Sequence, residues 1–234
     1  MRRVGHKGAD LLAPGNTIAS FDAALAAGVD MIEFDVLPQR PGDLDAPLVL
    51  AHDYEDAGSR SPQTLAAGLD HLSSDAFAGI ELDVDLKLPG YELEVVDALR
   101  ERCLLRRALV TSQYRDSLAL IRRAAPEVRL GWSVPRLRRD PFRSRWLRPA
   151  AFAAMHYGRA VMPGRAAAAL RSGACDALMA HWRLVTPRLV RKVEDAGGEL
   201  YVWTVDDPPL MRSMRALGVS GVITNDPRLF AAVA

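Results

Sequence analysis

The amino-acid sequence predicts an α/β protein with the TIM (β/α)₈ barrel fold, and two observations support this prediction. Short apolar segments alternate with amphipathic helical segments along most of the 234 residues, an order that produces parallel strands joined by right-handed crossovers. The number of repeats suits a closed barrel better than an open sheet. Chains of this length commonly form one domain, so we expect residues 1–234 to form a single barrel domain.

In the first third of the chain, the apolar pattern predicts four strands and one long helix. The helix is supported by the shared apolar face of Ile18, Phe21 and Leu25, and Thr17 is a suitable N-cap. Prolines and a glycine within 38–42 exclude a helix between the second and third strands. In order, the predicted elements are a strand at 4–6, a helix at 16–27, strands at 31–36 and 47–52, one or two short helices within 54–78, and a strand at 80–87.

From residue 91 onward, helices and strands alternate regularly. These segments bring the number of strand-like segments to nine for the eight positions of a barrel, and no helix separates the pair at 31–36 and 47–52. The remaining predicted elements are helices at 91–102, 117–125, 149–169 (interrupted near Pro163-Gly164), 187–196 and 208–217, and strands at 108–112, 128–134, 177–181, 200–205 and 219–224.

Charge and hydropathy exclude several classes of protein. The formal net charge of +1 gives no general attraction to nucleic acid. No apolar run approaches the roughly 18 residues that a membrane span requires. The N-terminus has no apolar segment typical of a signal peptide. We therefore expect a soluble, cytoplasmic enzyme or binding protein.

Acidic residues lie at the predicted strand ends, where the active site of a TIM barrel forms. Glu33 and Asp35 are two residues apart and project from one face of their strand, and Asp85 lies on another strand. Neighbouring carboxylates repel each other unless something neutralises them. One divalent cation, Ca²⁺ or Mg²⁺, would do so with oxygen ligands. The alternative is an ion pair with Lys7 or Lys87 at the barrel mouth.

Basic and aromatic side chains are predicted at the same mouth. His6 and His52 are candidate proton carriers; a single histidine is often structural, but two beside an acidic cluster favour catalysis. Lys7 and Lys87 add positive charge, which together with a cation suits an anionic phosphate substrate. Trp203 belongs either to the core or to an apolar wall for a small alcohol group.

The segment 136–148 contains six arginines together with Phe142 and Trp146. This composition is typical of a solvated loop. It also allows peripheral contact with anionic lipid head groups, with the aromatic side chains at the interface. The segment lacks the amphipathic helical pattern that would favour the second interpretation strongly.

Eight short motifs resemble those of the glycerophosphodiester phosphodiesterase family, and they occur in the family's order over almost the whole chain. The motifs are His6-Lys7-Gly8, Pro14-Gly15-Asn16-Thr17, Glu33-Phe34-Asp35, His52-Asp53, Asp85-Leu86-Lys87, Thr111-Ser112-Gln113, Trp203-Thr204-Val205-Asp206 and Thr224-Asn225-Asp226-Pro227. The resemblance implies a TIM barrel that hydrolyses glycerophosphodiesters to glycerol 3-phosphate and an alcohol. It also implies that the nucleophile is either water or the substrate's own 2-hydroxyl; in the second case the reaction would pass through a cyclic phosphate. The resemblance further implies metal ligation by Glu33, Asp35 and Asp85, acid–base catalysis by His6 and His52, and phosphate stabilisation by Lys87.

The chain departs from the family pattern at three residues and in one segment. Lys7 replaces the family arginine and Gly15 replaces a glutamate; if those family residues pair, losing both avoids an orphaned charge. Asp85 replaces a glutamate ligand and is one methylene shorter. The stretch after His52 is short, which implies a reduced cap insertion and a more open mouth. Two other functions therefore compete: a lysophospholipase D-like or cyclising phosphodiesterase acting on lysophospholipids, and a catalytically silent phosphodiester-binding barrel.

Overall fold

Eight parallel strands close into a barrel in the computed structural model, which describes residues 1–135 and 148–233. The strands are β1 (Arg2–Gly5), β2 (Met31–Pro38), β3 (Leu48–Leu50), β4 (Glu81–Leu86), β5 (Ala108–Ser112), β6 (Arg129–Val134), β7 (Ala177–His181), β8 (Glu199–Trp203) and β9 (Gly221–Thr224). The order around the barrel is β1-β2-β4-β5-β6-β7-β8-β9, and β9 pairs with β1 to complete the circle. The predicted TIM barrel is confirmed.

Strand β3 explains why nine strand-like segments compete for eight positions. It runs antiparallel to the upper end of β2, with Leu50 opposite Val36 and Leu48 opposite Pro38. The connection at 39–47 is too short for the crossover that a parallel neighbour requires. His52 therefore does not follow a parallel barrel strand, as the sequence suggested. It reaches the barrel mouth at the end of a strand that returns towards the barrel.

The helices surround the barrel. Residues 1–135 and 148–233 also contain four 3₁₀ segments, at Asp75–Phe77, Leu105–Arg107, Trp182–Leu184 and Pro227–Val233. The helix predicted at 149–169 was expected to break near Pro163, but it is continuous. Pro163 and Met162 are buried, so packing offsets the main-chain hydrogen bond that proline cannot donate. The helices are α1 (Ile18–Ala26), α2 (Tyr54–Ser59), α3 (Leu65–Leu72), α4 (Glu92–Glu101), α5 (Arg115–Ala124), α6 (Arg148–Arg171), α7 (Pro187–Glu194) and α8 (Pro208–Leu217).

Two sequence expectations concern membranes and lipids. Of the helices that the structure describes, none is both long and apolar enough to cross a membrane. The arginine-rich segment 136–148 lies outside the described residues except for Arg148, so its contact with anionic lipid stays a prediction.

The side chains of β4 show how the barrel separates its core from its site. Leu82, Val84 and Leu86 face outward into the apolar layer beneath the helices, and the charged residues between them face inward. Glu81 is the lowest of these inward residues. It pairs with Arg2 at 3.2 Å and with Arg129 at 3.0 Å, which closes the lower end of the barrel.

Candidate active site

A cavity of about 200 Å³ opens at the upper end of the barrel. Two predicted residues are absent from its lining: Asp35 lies fully buried behind it, and Lys7 turns towards Asp10. The antiparallel return through β3 is what brings His52 to this cavity. The remaining six predicted site residues all line it: His6, Glu33, His52, Asp85, Lys87 and Trp203.

The three predicted metal ligands converge because β2 and β4 are parallel neighbours. Asp35 lies opposite Asp85 in the register, and Glu33 lies one inward position lower on β2. One ligand oxygen from each of these residues lies within 4.8 Å of those of the other two. Glu33 and Asp35 are both buried. Such close, buried carboxylates require neutralisation.

Lys87 supplies part of that neutralisation. Its Nζ lies 2.5 Å from Asp35 Oδ1 and 2.6 Å from Asp85 Oδ2. Burial alone would lower the pKa of Lys87, but the Asp35 and Asp85 charges outweigh it and raise that pKa well above its usual range. Burial would raise the pKa of Asp35, but the charge of Lys87 outweighs burial and lowers that pKa below its usual range. The ion pair considered from sequence is therefore formed.

Negative charge nevertheless remains in excess. Burial, reinforced by the charge of Asp35, raises the pKa of Glu33 well above its usual range. Burial and the charge of Asp85 raise the pKa of Asp83 to about 8, although Thr111 Oγ1 donates a hydrogen bond to it at 2.8 Å. Three converging carboxylates with one lysine between two of them form an all-oxygen ligand set that fits a hard divalent cation.

A hydrogen-bonded chain fixes the tautomer of His6. Strand β1 pairs with β9, so His6 and Asn225, which follow these strands directly, lie side by side. Asn225 Nδ2 donates to Asp206 Oδ2 at 2.6 Å, which leaves Asn225 Oδ1 facing His6 Nδ1 at 2.6 Å. An amide oxygen only accepts, so Nδ1 of His6 carries the proton and Nε2 keeps its lone pair. Burial lowers the pKa of His6, which favours this neutral form.

His52 lies in a different environment, at the exposed edge of the cavity. Its Nδ1 is 3.1 Å from Asp53 Oδ2; a carboxylate only accepts, so Nδ1 donates this hydrogen bond. Asp53 is the N-cap of α2, and the His52 main-chain N–H donates to Asp56 Oδ2 at 3.0 Å. The short helix after β3 thereby orients His52. The two histidines differ in exposure and in hydrogen-bond partner.

Asn16 is a residue of the candidate site that reasoning from the sequence missed. It was assigned to the start of a helix, but it lies before α1 with φ +59° and is fully buried. Its Nδ2 donates to Asp35 Oδ2 at 2.9 Å, and its Oδ1 accepts from the Asp35 main-chain N–H at 3.0 Å. Asn16 therefore holds a candidate metal ligand in place. The signal was present, since asparagine tolerates a positive φ and commonly precedes a helix.

Trp203 forms part of the cavity wall. Its ring lies edge-on to His181 with the ring centroids 5.1 Å apart, and it packs on the small apolar cluster inside the barrel. Of the two interpretations made from sequence, this geometry favours the apolar wall.

Comparisons with known proteins agree with one another. The model of the glycerophosphoryl diester phosphodiesterase family matches residues 6–56 and 81–229; the unmatched part between them falls where a short cap was expected. A glycerophosphodiester phosphodiesterase of Caldanaerobacter subterraneus subsp. tengcongensis is 26% identical over 255 residues, which cover 96% of this chain and 93% of that protein.

Solved structures show the same fold. A glycerophosphodiester phosphodiesterase from Parabacteroides distasonis superposes with a TM-score of 0.72 at 20% identity, covering 99% of this chain and 98% of that one. An Oleispira antarctica phosphodiesterase in complex with the product sn-glycerol-3-phosphate superposes with a TM-score of 0.69 at 18% identity, covering 100% and 96%.

Proposed function

As a member of the glycerophosphoryl diester phosphodiesterase family, the chain is a glycerophosphodiester phosphodiesterase, and we propose that it releases glycerol 3-phosphate by metal-dependent acid–base catalysis. The observation that carries the proposal is one cavity lined by two histidines in contrasting environments, beside a cluster of three carboxylates. The product is also the one bound by the Oleispira antarctica relative.

Glu33, Asp35 and Asp85 would hold the divalent cation, Ca²⁺ or Mg²⁺. When bound, such a cation neutralises charge on the phosphate oxygens. Lys87 adds a positive charge at the same place, because its ammonium lies against two of these carboxylates. Trp203 offers an apolar surface to the alcohol group of the substrate.

The hydrogen bonds of the two histidines support different roles for them. Nε2 of His6 has the lone pair of a general base. It takes the proton from the attacking hydroxyl, either water or the substrate's 2-hydroxyl, as the new O–P bond forms. His52, paired with Asp53, gives its proton to the leaving oxygen as the old P–O bond breaks. In each such step His6 therefore gains one proton and His52 loses one, and the alcohol leaves in its neutral form.

The first experiment measures glycerol 3-phosphate release from glycerophosphocholine with and without a chelator. We expect a chelator to abolish turnover and added Ca²⁺ or Mg²⁺ to restore it. Full activity in the chelated enzyme would contradict the metal requirement. Phosphorus NMR of the reaction distinguishes the nucleophiles, because only attack by the 2-hydroxyl produces a cyclic phosphate.

The second experiment separates the two histidines. With glycerophosphocholine, we expect His6→Ala and His52→Ala each to lower kcat by about 10²–10⁴-fold. With a p-nitrophenyl ester, whose leaving group needs no proton, His52→Ala should recover most of the wild-type rate while His6→Ala stays inactive. Recovery of His6→Ala instead would reverse the assignment of base and acid.

A further inference from the structure

We propose that Asp10 is a positioning residue that holds the Lys7 ammonium at the rim of the active site, in an arrangement that requires glycine at position 15. The proposal rests on the proposed function, because it assigns Lys7 to binding the phosphate of the substrate. It also links two departures from the family pattern, Lys7 and Gly15, through a third residue.

The carboxylate of Asp10 bridges two segments of the site. Its Oδ2 lies 3.3 Å from Lys7 Nζ, and its Oδ1 accepts the Gly15 main-chain N–H at 2.9 Å. The Lys7 and Asp10 side chains are 20% and 32% exposed, so the ion pair is partly shielded from water. A carboxylate with one oxygen on each partner fixes the ammonium more firmly than a surface pair would.

Space, and not backbone conformation, explains the glycine at position 15. Gly15 is not among the residues with positive φ. A Cβ atom added there would lie 2.4 Å from Asp10 Oδ1 and 2.9 Å from Lys7 Cβ. Any larger residue would therefore displace the carboxylate that holds Lys7. A glutamate at position 15, as in the family pattern, would therefore require the Asp10 carboxylate to move.

The main chain around Lys7 connects this ion pair to the metal ligands. The Lys7 N–H donates to Glu33 Oε2 at 2.7 Å, and the Lys7 carbonyl accepts from Asn16 N at 3.0 Å. Lys7 itself has φ +50°, so these contacts hold an otherwise unfavourable conformation. With the backbone fixed, the direction of the ammonium depends on the side-chain partner. Asp10 therefore determines where this compact positive charge lies, on the residue that follows His6 in the chain and whose main chain is hydrogen-bonded to Glu33.

A double-mutant cycle between Lys7 and Asp10 tests the positioning role. Asp10→Asn keeps an oxygen for the Gly15 N–H but removes the charge. We expect it to raise KM for glycerophosphocholine, and Kd for glycerol 3-phosphate, about three- to tenfold with kcat within about twofold. In a Lys7→Ala background, Asp10→Asn should have no further effect. An unchanged KM and Kd, or an equal effect in both backgrounds, would overturn the proposal.

Asp43→Asn is the matched control, because Asp43 forms an ion pair of the same spacing with Arg40 on an exposed loop. It should change neither KM nor Kd. A second cycle measures thermal stability and needs no activity. Gly15→Ala should lower Tm by about 3–10 °C, and by less than half as much when Asp10 is replaced by Ser. Equal losses in both backgrounds would refute the spatial argument.

The two cycles separate failure of this inference from failure of the proposed function. If wild-type protein hydrolyses no glycerophosphodiester, the proposed function fails, while Kd for glycerol 3-phosphate and the stability cycle still test the roles of Asp10. If wild-type protein is active and the Lys7–Asp10 cycle is additive, the inference alone fails.

Discussion

Replacing Asn225 by alanine tests the chain of hydrogen bonds that assigns the base. Asn225 gives His6 its Nδ1 partner and is itself oriented by Asp206. The variant removes the amide oxygen and the Nδ2 donor to Asp206, but keeps the main-chain N–H that donates to Asp206 Oδ1 at 2.8 Å. His6 Nδ1–H would then be a buried donor without its partner, and the tautomer with the proton on Nε2 would no longer be disfavoured. That tautomer cannot accept a proton from the nucleophile.

The structure sets the size of the effect. The His6–Asn225 distance of 2.6 Å is short, and leaving a buried donor unsatisfied costs about 1–3 kcal/mol. At about 1.4 kcal/mol per factor of ten in rate, kcat should fall roughly 5- to 150-fold. Substrate binding does not use this hydrogen bond, so KM should stay within about twofold.

Two measurements check this prediction. Steady-state kinetics give kcat, and ¹⁵N NMR of the imidazole gives the tautomer of His6 directly. Asp207→Ala is the control, because Asp207 caps α8 next to the network without joining it; it should cost about 1 kcal/mol of stability and leave kcat unchanged. An unchanged kcat in Asn225→Ala would refute the reasoning, and so would an NMR spectrum of the wild-type protein in which Nδ1 of His6 is unprotonated.

Three further predictions follow from the geometry. Asp85→Asn should lower the affinity for Ca²⁺ at least about tenfold in calorimetry, because it removes a charged ligand. Asn16→Ala should lower the same affinity about 10- to 100-fold, because Asn16 makes two hydrogen bonds to Asp35; unchanged affinity would contradict its supporting role. Burial would raise the pKa of Glu199, but Arg2 and Arg129 lower it below 4.5. The ionised Glu199 therefore contributes fully to stability above pH 4.5, and this contribution is lost as pH falls through the lower folded-state pKa. Glu199→Gln should lower the free energy of unfolding at pH 7, and the difference from wild type should become smaller in acid.

Much of the fold could be predicted from the sequence because strand patterns are local. The strand predicted at 80–87 forms as β4, and the two-residue period of a strand places its apolar residues outward and Asp85 inward. The direction of β3 could not be read in this way, since an apolar run of three residues looks the same in a parallel and an antiparallel neighbour. Its direction depends on the connection before it, which is too short for a crossover.

The contacts of the site were harder to predict because they join residues distant in sequence. His6 and Asn225 are brought together by closure of the barrel, 219 positions apart. The coupling of Lys7, Asp10 and Gly15 depends on a separation of a few ångströms between side-chain atoms. The order of the motifs indicates which residues meet, and packing determines how they meet.

The sequence posed a metal ion and a lysine ion pair as alternatives for the acidic cluster, but charge balance makes them complementary. Lys87 contacts Asp35 and Asp85 and carries one positive charge, whereas the candidate ligand set contains three carboxylates. In the ionised form that metal ligation requires of all three, Glu33 included, one lysine leaves two negative charges, which is the charge of one divalent cation. Asp83, with its pKa raised to about 8, can stay protonated and add no further charge at neutral pH. The buried lysine is thus the reason why three carboxylates suit a cation of charge two.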